Sequence, residues 1–212
     1  GIILRTVGQL DGALKLFQEQ ERFARELGSK DRLRNSLGNQ GHVLKTCGDL
    51  DGALALFKEQ ERIAREMESK DGLRDSLGNQ GSILYARGDL DGALALHREE
   101  ERLARELGDK VGLGCSLGSQ GRILLKRGHL DGALALHKEH EQLARALGNK
   151  DGLRASLGNQ ALILSTRGDL DGALALHKEE ERLARELGSK DGLRVCLGNQ
   201  ASILYTRGDL DG

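Results

Sequence analysis

The chain has 212 residues, a formal net charge of −1, and 31% charged but only 2% aromatic residues. Charge-driven binding to nucleic acid or to an anionic membrane needs a clustered basic surface, and this balance indicates none. We therefore expect neither a nucleic-acid nor a membrane partner.

No stretch approaches the length of a membrane span, and the start does not read as a signal peptide, so a cytoplasmic location is predicted. The cysteines Cys47, Cys115 and Cys196 lie at different phases of the pattern described next. An odd, unaligned set is typical neither of a disulfide framework nor of a zinc site. We expect reduced thiols, no metal and no other cofactor.

A short motif recurs through the chain with a constant spacing of 40 residues. Gly88–Leu96 returns as Gly48–Leu56, as Gly128–Leu136 and as Gly168–Leu176, with a worn copy near the start and a cut-off copy at the end. A fixed period of this size indicates stacked structural repeats. We predict one array over 1–212, with a partial repeat at 1–30, full repeats at 31–70, 71–110, 111–150 and 151–190, and a truncated repeat at 191–212.

Each repeat is predicted to form two antiparallel helices. In 71–110, apolar residues at helical spacing mark a first helix over 72–87, with Asp71 as its N-cap and Gly88 as the left-handed residue that ends it. Asp89 is the expected N-cap of the second helix, and Gly108 is expected to end it. The outer face of the second helix carries alternating Glu and Arg, which is typical of a solvated surface.

The first helix contains glycines that are costly in a helix. Gly78 and Gly81 lie one turn apart, and we expect them to let a neighbouring helix come close. The third full repeat, 111–150, departs most from the others, so we expect it to be the least stable. At the start of the chain Ile2, Ile3 and Leu4 would be left uncovered, which predicts end-to-end self-association.

These features resemble tetratricopeptide repeats: the paired helices, the Gly-Asp turn, and an Ala three residues after Leu90. The spacing of 40, the segment Leu103–Asp109 and Gly81 before Gly88 are similar to the Pins-type spindle-orientation adaptors and to related bacterial arrays. One departure is present, because Leu77-Gly78-Asn79 lies one turn before the place where those adaptors carry Leu-Gly-Asn. Gln80 therefore stands where they have Leu.

The resemblance implies an all-α fold, a right-handed solenoid of antiparallel helix pairs. It implies that first helices line a concave groove, that second helices lie outside, and that the groove binds a protein or peptide without catalysis. Two other roles stay open: a structural, self-assembling segment, and a sensor arm of a larger signalling protein.

Differences between repeats concentrate on one face of the first helix. In one repeat this face holds Asp75, Ser82, Tyr85 and Ala86, at offsets that share a helix side. Uniform repeats with a varied stripe are what a binding surface on a fixed frame would show. With one recurring polar position, the predicted groove residues are Asn35, Asn39, His42, Lys45, Asp75, Asn79, Ser82, Tyr85, Ser119, Arg122, Lys126, Asn159, Leu162, Asn199, Ser202 and Tyr205.

The recurring polar residue is Asn39, Asn79, Asn159 or Asn199, with Ser119 as the exception. An Asn amide can both donate to and accept from an extended peptide backbone. The alternative is that the Asn ties adjacent helices together. Basic residues in the stripe favour an acidic ligand.

Two motifs suggest chemistry that the pattern does not support. Gly114–Gly118 matches Gly-x-Ser-x-Gly, but that nucleophile motif needs a strand-to-helix turn, and here it falls inside a helix. His137 and His140 could touch one metal, yet no third ligand is evident. His97, His137 and His177 alternate with Phe17 and Phe57, so we predict aromatic-sized core residues and no enzyme activity.

Overall fold

The computed structural model describes residues 10–208, and its regular structure there is entirely α-helical. No helix in this range combines the length and the apolar character needed to cross a membrane. The described helices are α1 (Leu10–Glu26), α2 (Lys30–Thr46), α3 (Leu50–Glu66), α4 (Lys70–Arg87), α5 (Leu90–Leu107), α6 (Lys110–Lys126), α7 (Leu130–Leu147), α8 (Lys150–Thr166), α9 (Leu170–Glu186) and α10 (Lys190–Arg207). The predicted helix pairs are confirmed: even-numbered helices are the first helices of the repeats and odd-numbered helices the second.

The chain divides into two compact halves, one ending at Asp109 and the other beginning at Lys110. The first half contains α1 to α5 and the second half α6 to α10. Within each half every helix packs against the next one in sequence. First helices of successive repeats also touch, α2 with α4 and α6 with α8. Each half therefore has a layer of first helices that lie side by side.

The helix ends follow the predicted turn chemistry with one correction. Gly88 and Gly108 end their helices in the left-handed conformation, and the Asp89 carboxylate accepts a hydrogen bond from the backbone N–H of Gly92. The N-cap of α4 is Ser69, whose hydroxyl accepts from the Gly72 N–H, so the assignment of Asp71 was wrong. Asp71 lies in the first turn instead, where a carboxylate is favoured by the positive end of the helix dipole.

Gly78 and Gly81 face α5, the second helix of their own repeat. A Cβ on Gly78 would lie 2.5 Å from Glu100 Oε1, and one on Gly81 would lie 2.8 Å from His97 Nε2. A close approach of this kind needs residues without a side chain. The predicted role of the two glycines is confirmed.

The histidines at the Phe57 phase are core residues, as predicted. Phe57, His137 and His177 are fully buried and His97 nearly so. His177 contacts Glu180 through Nδ1 at 2.8 Å, and the corresponding pair in the second repeat has a distance of 2.7 Å. The carboxylate one turn further along thus pairs the ring nitrogen inside the core.

A glutamine that the sequence analysis did not interpret joins helices of successive repeats. Its side-chain N–H donates to a glutamate on the preceding second helix, 19 residues earlier in sequence, at 2.5 to 2.9 Å. These pairs are Gln40 with Glu21, Gln80 with Glu61, Gln160 with Glu141, and Gln200 with Glu181. Because Gln80 stands where the similar adaptors have Leu, this hydrogen bond helps to set the rotation of the first helix.

Candidate functional site

The predicted groove residues of the first half share the exposed side of two neighbouring first helices. None of them is buried, although Asn39, His42, Asn79, Ser82 and Tyr85 are half-covered. The His42 ring also meets the Phe57 ring edge-on at 5.3 Å between centroids, so it belongs partly to the core. The set comprises Asn35, Asn39, His42 and Lys45 on α2, and Asp75, Asn79, Ser82 and Tyr85 on α4.

The second half repeats this arrangement on three first helices. Leu162 is 40% exposed and Tyr205 is 77% exposed. Again none of the predicted residues is buried. They are Ser119, Arg122 and Lys126 on α6, Asn159 and Leu162 on α8, and Asn199, Ser202 and Tyr205 on α10.

Some of these residues converge on cavities. In the second half, Arg122, Asn159, Leu162 and Asn199 line one cavity of about 250 Å³. In the first half, a depression of about 380 Å³ brings Asn35 and Asn39 together with apolar side chains in the last turn of α1 and just after it. Those side chains, Phe23 and Leu27, were not among the predicted residues.

The recurring asparagines do not tie helices together in the described part of the chain. Asn159 donates to the carbonyl of Ala155 in its own helix at 2.9 Å. The amides of Asn39, Asn79 and Asn199 have no hydrogen-bond partner among residues 10–208, and the helix-to-helix tie is made by the next residue, Gln. The tying role that the sequence left open for the asparagines is therefore filled by the glutamines.

Five residues that line the cavity in the second half are absent from the predicted set: Arg154, Ala155, Gly158, Glu180 and Val195. Two of them, Arg154 and Glu180, are charged. Both positions recur in the repeats with little or partial change, so they read as part of the frame. The signal that could have found Arg154 is an Arg directly before the first variable position, which recurs as Arg34, Arg74, Arg154 and Arg194.

The side chains that hinted at catalysis or metal binding lie in the core. Ser116 is fully buried in α6, and its hydroxyl donates to the Leu113 carbonyl at 2.9 Å. His137 is also fully buried, and burial lowers its pKa to about 4, with smaller contributions from His140 and Arg122. Within residues 10–208 no three His, Cys, Asp or Glu side chains are grouped to hold a metal.

The predicted self-association rests on Ile2, Ile3 and Leu4, which lie outside the described residues. It stays a prediction.

Comparison with known proteins gives structural but no sequence relatives. No protein-family model and no curated protein sequence matches. A Pyrococcus horikoshii Signal Transduction ATPase with Numerous Domains, which has a tetratricopeptide repeat sensor, is similar with a TM-score of 0.83 and 16% identity, over 96% of this chain and 31% of that protein. A putative kinesin light chain from Podosopora anserina with nearly identical TPR-like repeats gives a TM-score of 0.68 and 14% identity, over 87% and 91%.

A third similar structure is a Rap protein complexed with competence and sporulation factor, with a TM-score of 0.69 and 13% identity. It is matched over 98% of this chain and 62% of that protein. This chain thus spans less than two thirds of the Rap protein and about a third of the ATPase. At such low identities the likeness shows the fold alone, and that fold is shared with TPR-like repeat proteins. The fold of this chain is therefore tetratricopeptide-like, an all-α array of antiparallel helix pairs.

Proposed function

We propose that this chain is a non-catalytic scaffold that binds an extended peptide or protein segment on the exposed face of its first helices. The observation that carries the proposal is the contrast between the constant core positions of the repeats and the varied exposed positions of their first helices. Core positions such as Ala93, Ile83 and Gln80 recur with little change, whereas the exposed positions next to them differ from repeat to repeat. A varied surface on a constant frame is how repeat proteins present binding sites.

The asparagines support a peptide as the ligand. Each sits half-buried in the layer of first helices, and those at positions 39, 79 and 199 have no partner among the described residues. A polar group held in this way gains a hydrogen bond when a peptide backbone arrives. The solved neighbours include a Rap protein with a bound factor and a repeat sensor on an ATPase. Both agree with a binding or sensing role for this chain.

The proposal is tested with a random peptide display library. The wild-type chain is compared with a variant that carries Asn39, Asn79, Asn159 and Asn199→Ala. We expect the variant to stay helical, because Ala favours helices, and to bind the enriched peptides at least about tenfold more weakly, since each lost hydrogen bond is worth roughly 1 kcal/mol.

A matched control removes four exposed side chains from the second helices, Lys58, Arg98, Lys138 and Lys178→Ala. This control should bind the peptides like wild type. If the control loses the peptides while the asparagine variant keeps them, the ligand lies on the second helices and the proposal is wrong. A library from which folded wild-type chain enriches nothing also contradicts it.

A further inference from the structure

The cavity of the second half opens on the same face as the predicted binding residues. Leu162 and Val195 contribute apolar walls and are 40% and 44% exposed. Amides of Asn159 and Asn199 lie beside them, and the Arg122 guanidinium reaches the cavity from α6. These walls suit a side chain with an aliphatic part and a polar end. Two charged residues that also line the cavity, Arg154 and Glu180, determine which polar group of such a side chain fits there.

The Arg154 guanidinium has N–H donors that its contacts among residues 10–208 do not use. Its Nε is buried and has no hydrogen-bond partner within the described range. Its Nη1 lies 3.5 Å from Glu180 Oε1, which is long for a hydrogen bond. The other oxygen of Glu180 is already engaged by His177 at 2.8 Å. A guanidinium has five N–H donors, so this single long contact leaves most of them available for another acceptor.

Two arginines of the first half, Arg34 and Arg74, stand at this position, and Arg74 has carboxylate partners that Arg154 lacks. Arg74 contacts Asp75 Oδ1 at 2.6 Å and also pairs with Asp109. At the matching positions of the fourth repeat the chain has Ala155 and Ser189. Both carboxylates are therefore absent beside Arg154, while the arginine itself is retained.

The same comparison shows that the surface beside Arg154 differs in chemical character from the surface beside Arg74. Ser82 of the second repeat becomes Leu162 in the fourth, and the first-half equivalent of Arg122 is His42. The fourth-repeat cavity is therefore more apolar at its wall and more positive. Glu180 presents little of its carboxylate to a ligand, since its side chain is only 4% exposed, whereas that of Arg154 is 24% exposed.

We propose that this cavity receives an acidic side chain of the bound peptide, with Arg154 as the partner of its carboxylate. The inference rests on the proposed function and narrows the ligand to a segment in which Asp or Glu neighbours an aliphatic residue. The ligand carboxylate takes the place that Asp75 fills beside Arg74. In an Arg–carboxylate pair the guanidinium donates two parallel hydrogen bonds to the carboxylate oxygens, which gives both strength and orientation. The aliphatic neighbour packs on Leu162 and Val195.

The test uses peptides that the full wild-type chain enriches from the random library. Each is resynthesised with its Asp or Glu replaced, one at a time, by Asn or Gln. We expect one such replacement to weaken binding by about tenfold or more, the usual effect of losing a charge-assisted hydrogen bond. Ala155→Asp restores the pairing found at Arg74. It should weaken binding of the acidic peptide by the same factor and leave binding of the Asn- or Gln-containing peptide unchanged.

Ala95→Asp is the control, because it adds the same carboxylate at an exposed position of α5, in the other half of the chain and outside the cavity. It should change the affinity by less than about twofold, as distant surface substitutions usually do. Arg154→Gln provides a second route and should abolish the preference for the acidic peptide. If Asn-dependent binding is present but no acidic residue matters, or if Ala155→Asp keeps the preference, the inference is overturned and the proposed function stands. If no peptide is enriched, both fail together.

Discussion

At the scale of single residues, the helix-ending turns are the most predictable feature. Gly88 and Gly108 were expected to be left-handed, and glycines at the same phases elsewhere have φ between 63° and 86°. Glu68 occupies this position in the first full repeat, with φ of 53°. A residue with a Cβ is strained there, because the left-handed region brings Cβ close to the following carbonyl oxygen.

Replacing Glu68 with Gly should therefore stabilise the protein. The expected gain in the free energy of unfolding is roughly 1 kcal/mol, the usual cost of a non-glycine residue in this conformation. Urea denaturation followed by circular dichroism measures it. Gly148→Glu is the mirror control, since nothing lies within 4 Å of a Cβ at Gly148 and only the torsion changes. It should lose a similar amount, and a less stable Glu68→Gly variant would contradict the argument.

The caps at helix starts were predictable only in part. Asp89 was correct, whereas Ser69 rather than Asp71 caps α4. Both residue types accept hydrogen bonds from exposed N–H groups, and both are favoured near a helix start. Spacing alone cannot rank two such candidates two residues apart.

At the scale of helices, the apolar period predicts which faces pack but not what fills them. The close approach at Gly78 and Gly81 followed from their lack of side chains. The partners, Glu100 and His97, depend on side-chain geometry that periodicity does not contain. The Gln at position 80 had a usable signal, because every repeat keeps this polar residue at a phase where the core would favour an apolar one.

Replacing His137 with Phe should make the third repeat less sensitive to acid. Its ring nitrogens have no hydrogen-bond partner in the described range, and burial lowers its pKa from 6.5 to about 4. Between these values the unfolded chain binds a proton that the folded chain does not, so stability falls as the pH falls, by roughly 3 kcal/mol in all. Phe57 fills the equivalent place fully buried, so Phe should fit.

Thermal melts at pH 7 and pH 5 measure the effect. The His137→Phe variant should lose less stability than wild type between the two pH values. His177→Phe is the comparison, because it leaves the buried Glu180 carboxylate without its partner at 2.8 Å and should destabilise at both pH values. If His137→Phe keeps the pH dependence of wild type, the ring is not held neutral as inferred.

At the scale of the whole molecule, the constant period predicted the fold class, because stacked helix pairs bury a core that no single repeat can close. A binding role for the varied face stays a proposal, but the location of that face was predictable, since the chain supplies its own comparison between repeats. The ligand was not. The chemistry of the ligand depends on which ion pairs, such as Arg74 with Asp75, form in each repeat. These pairs are visible only in the three-dimensional structure.

Deleting one whole repeat should preserve the fold at a cost that depends on the repeat. Removing 111–150 or 151–190 leaves the phase of 40 residues intact. In the third full repeat, His129 makes no side-chain cap bond and the ring nitrogens of His137 have no hydrogen-bond partner among residues 10–208. In the fourth, Asp169 caps its helix and His177 pairs with Glu180. We expect the 151–190 deletion to be less stable than the 111–150 deletion, by roughly 2 kcal/mol from a cap and a buried polar group.

Urea unfolding of the two deletion variants measures this difference. A deletion of 111–130, half a repeat, is the phase-breaking control and should lose much of its helical signal. Equal stabilities for the two whole-repeat deletions, or the reverse order, would show that the third repeat is not the weakest.

The glutamine that donates to a glutamate 19 residues earlier has a consequence for the order of events during synthesis. Each of these four glutamates leaves the ribosome beside an arginine of its own helix but before the glutamine that will donate to it has been made. At ~5–20 residues per second, that glutamine follows about one to four seconds later. The tie between successive repeats therefore forms only after the next first helix has been synthesised.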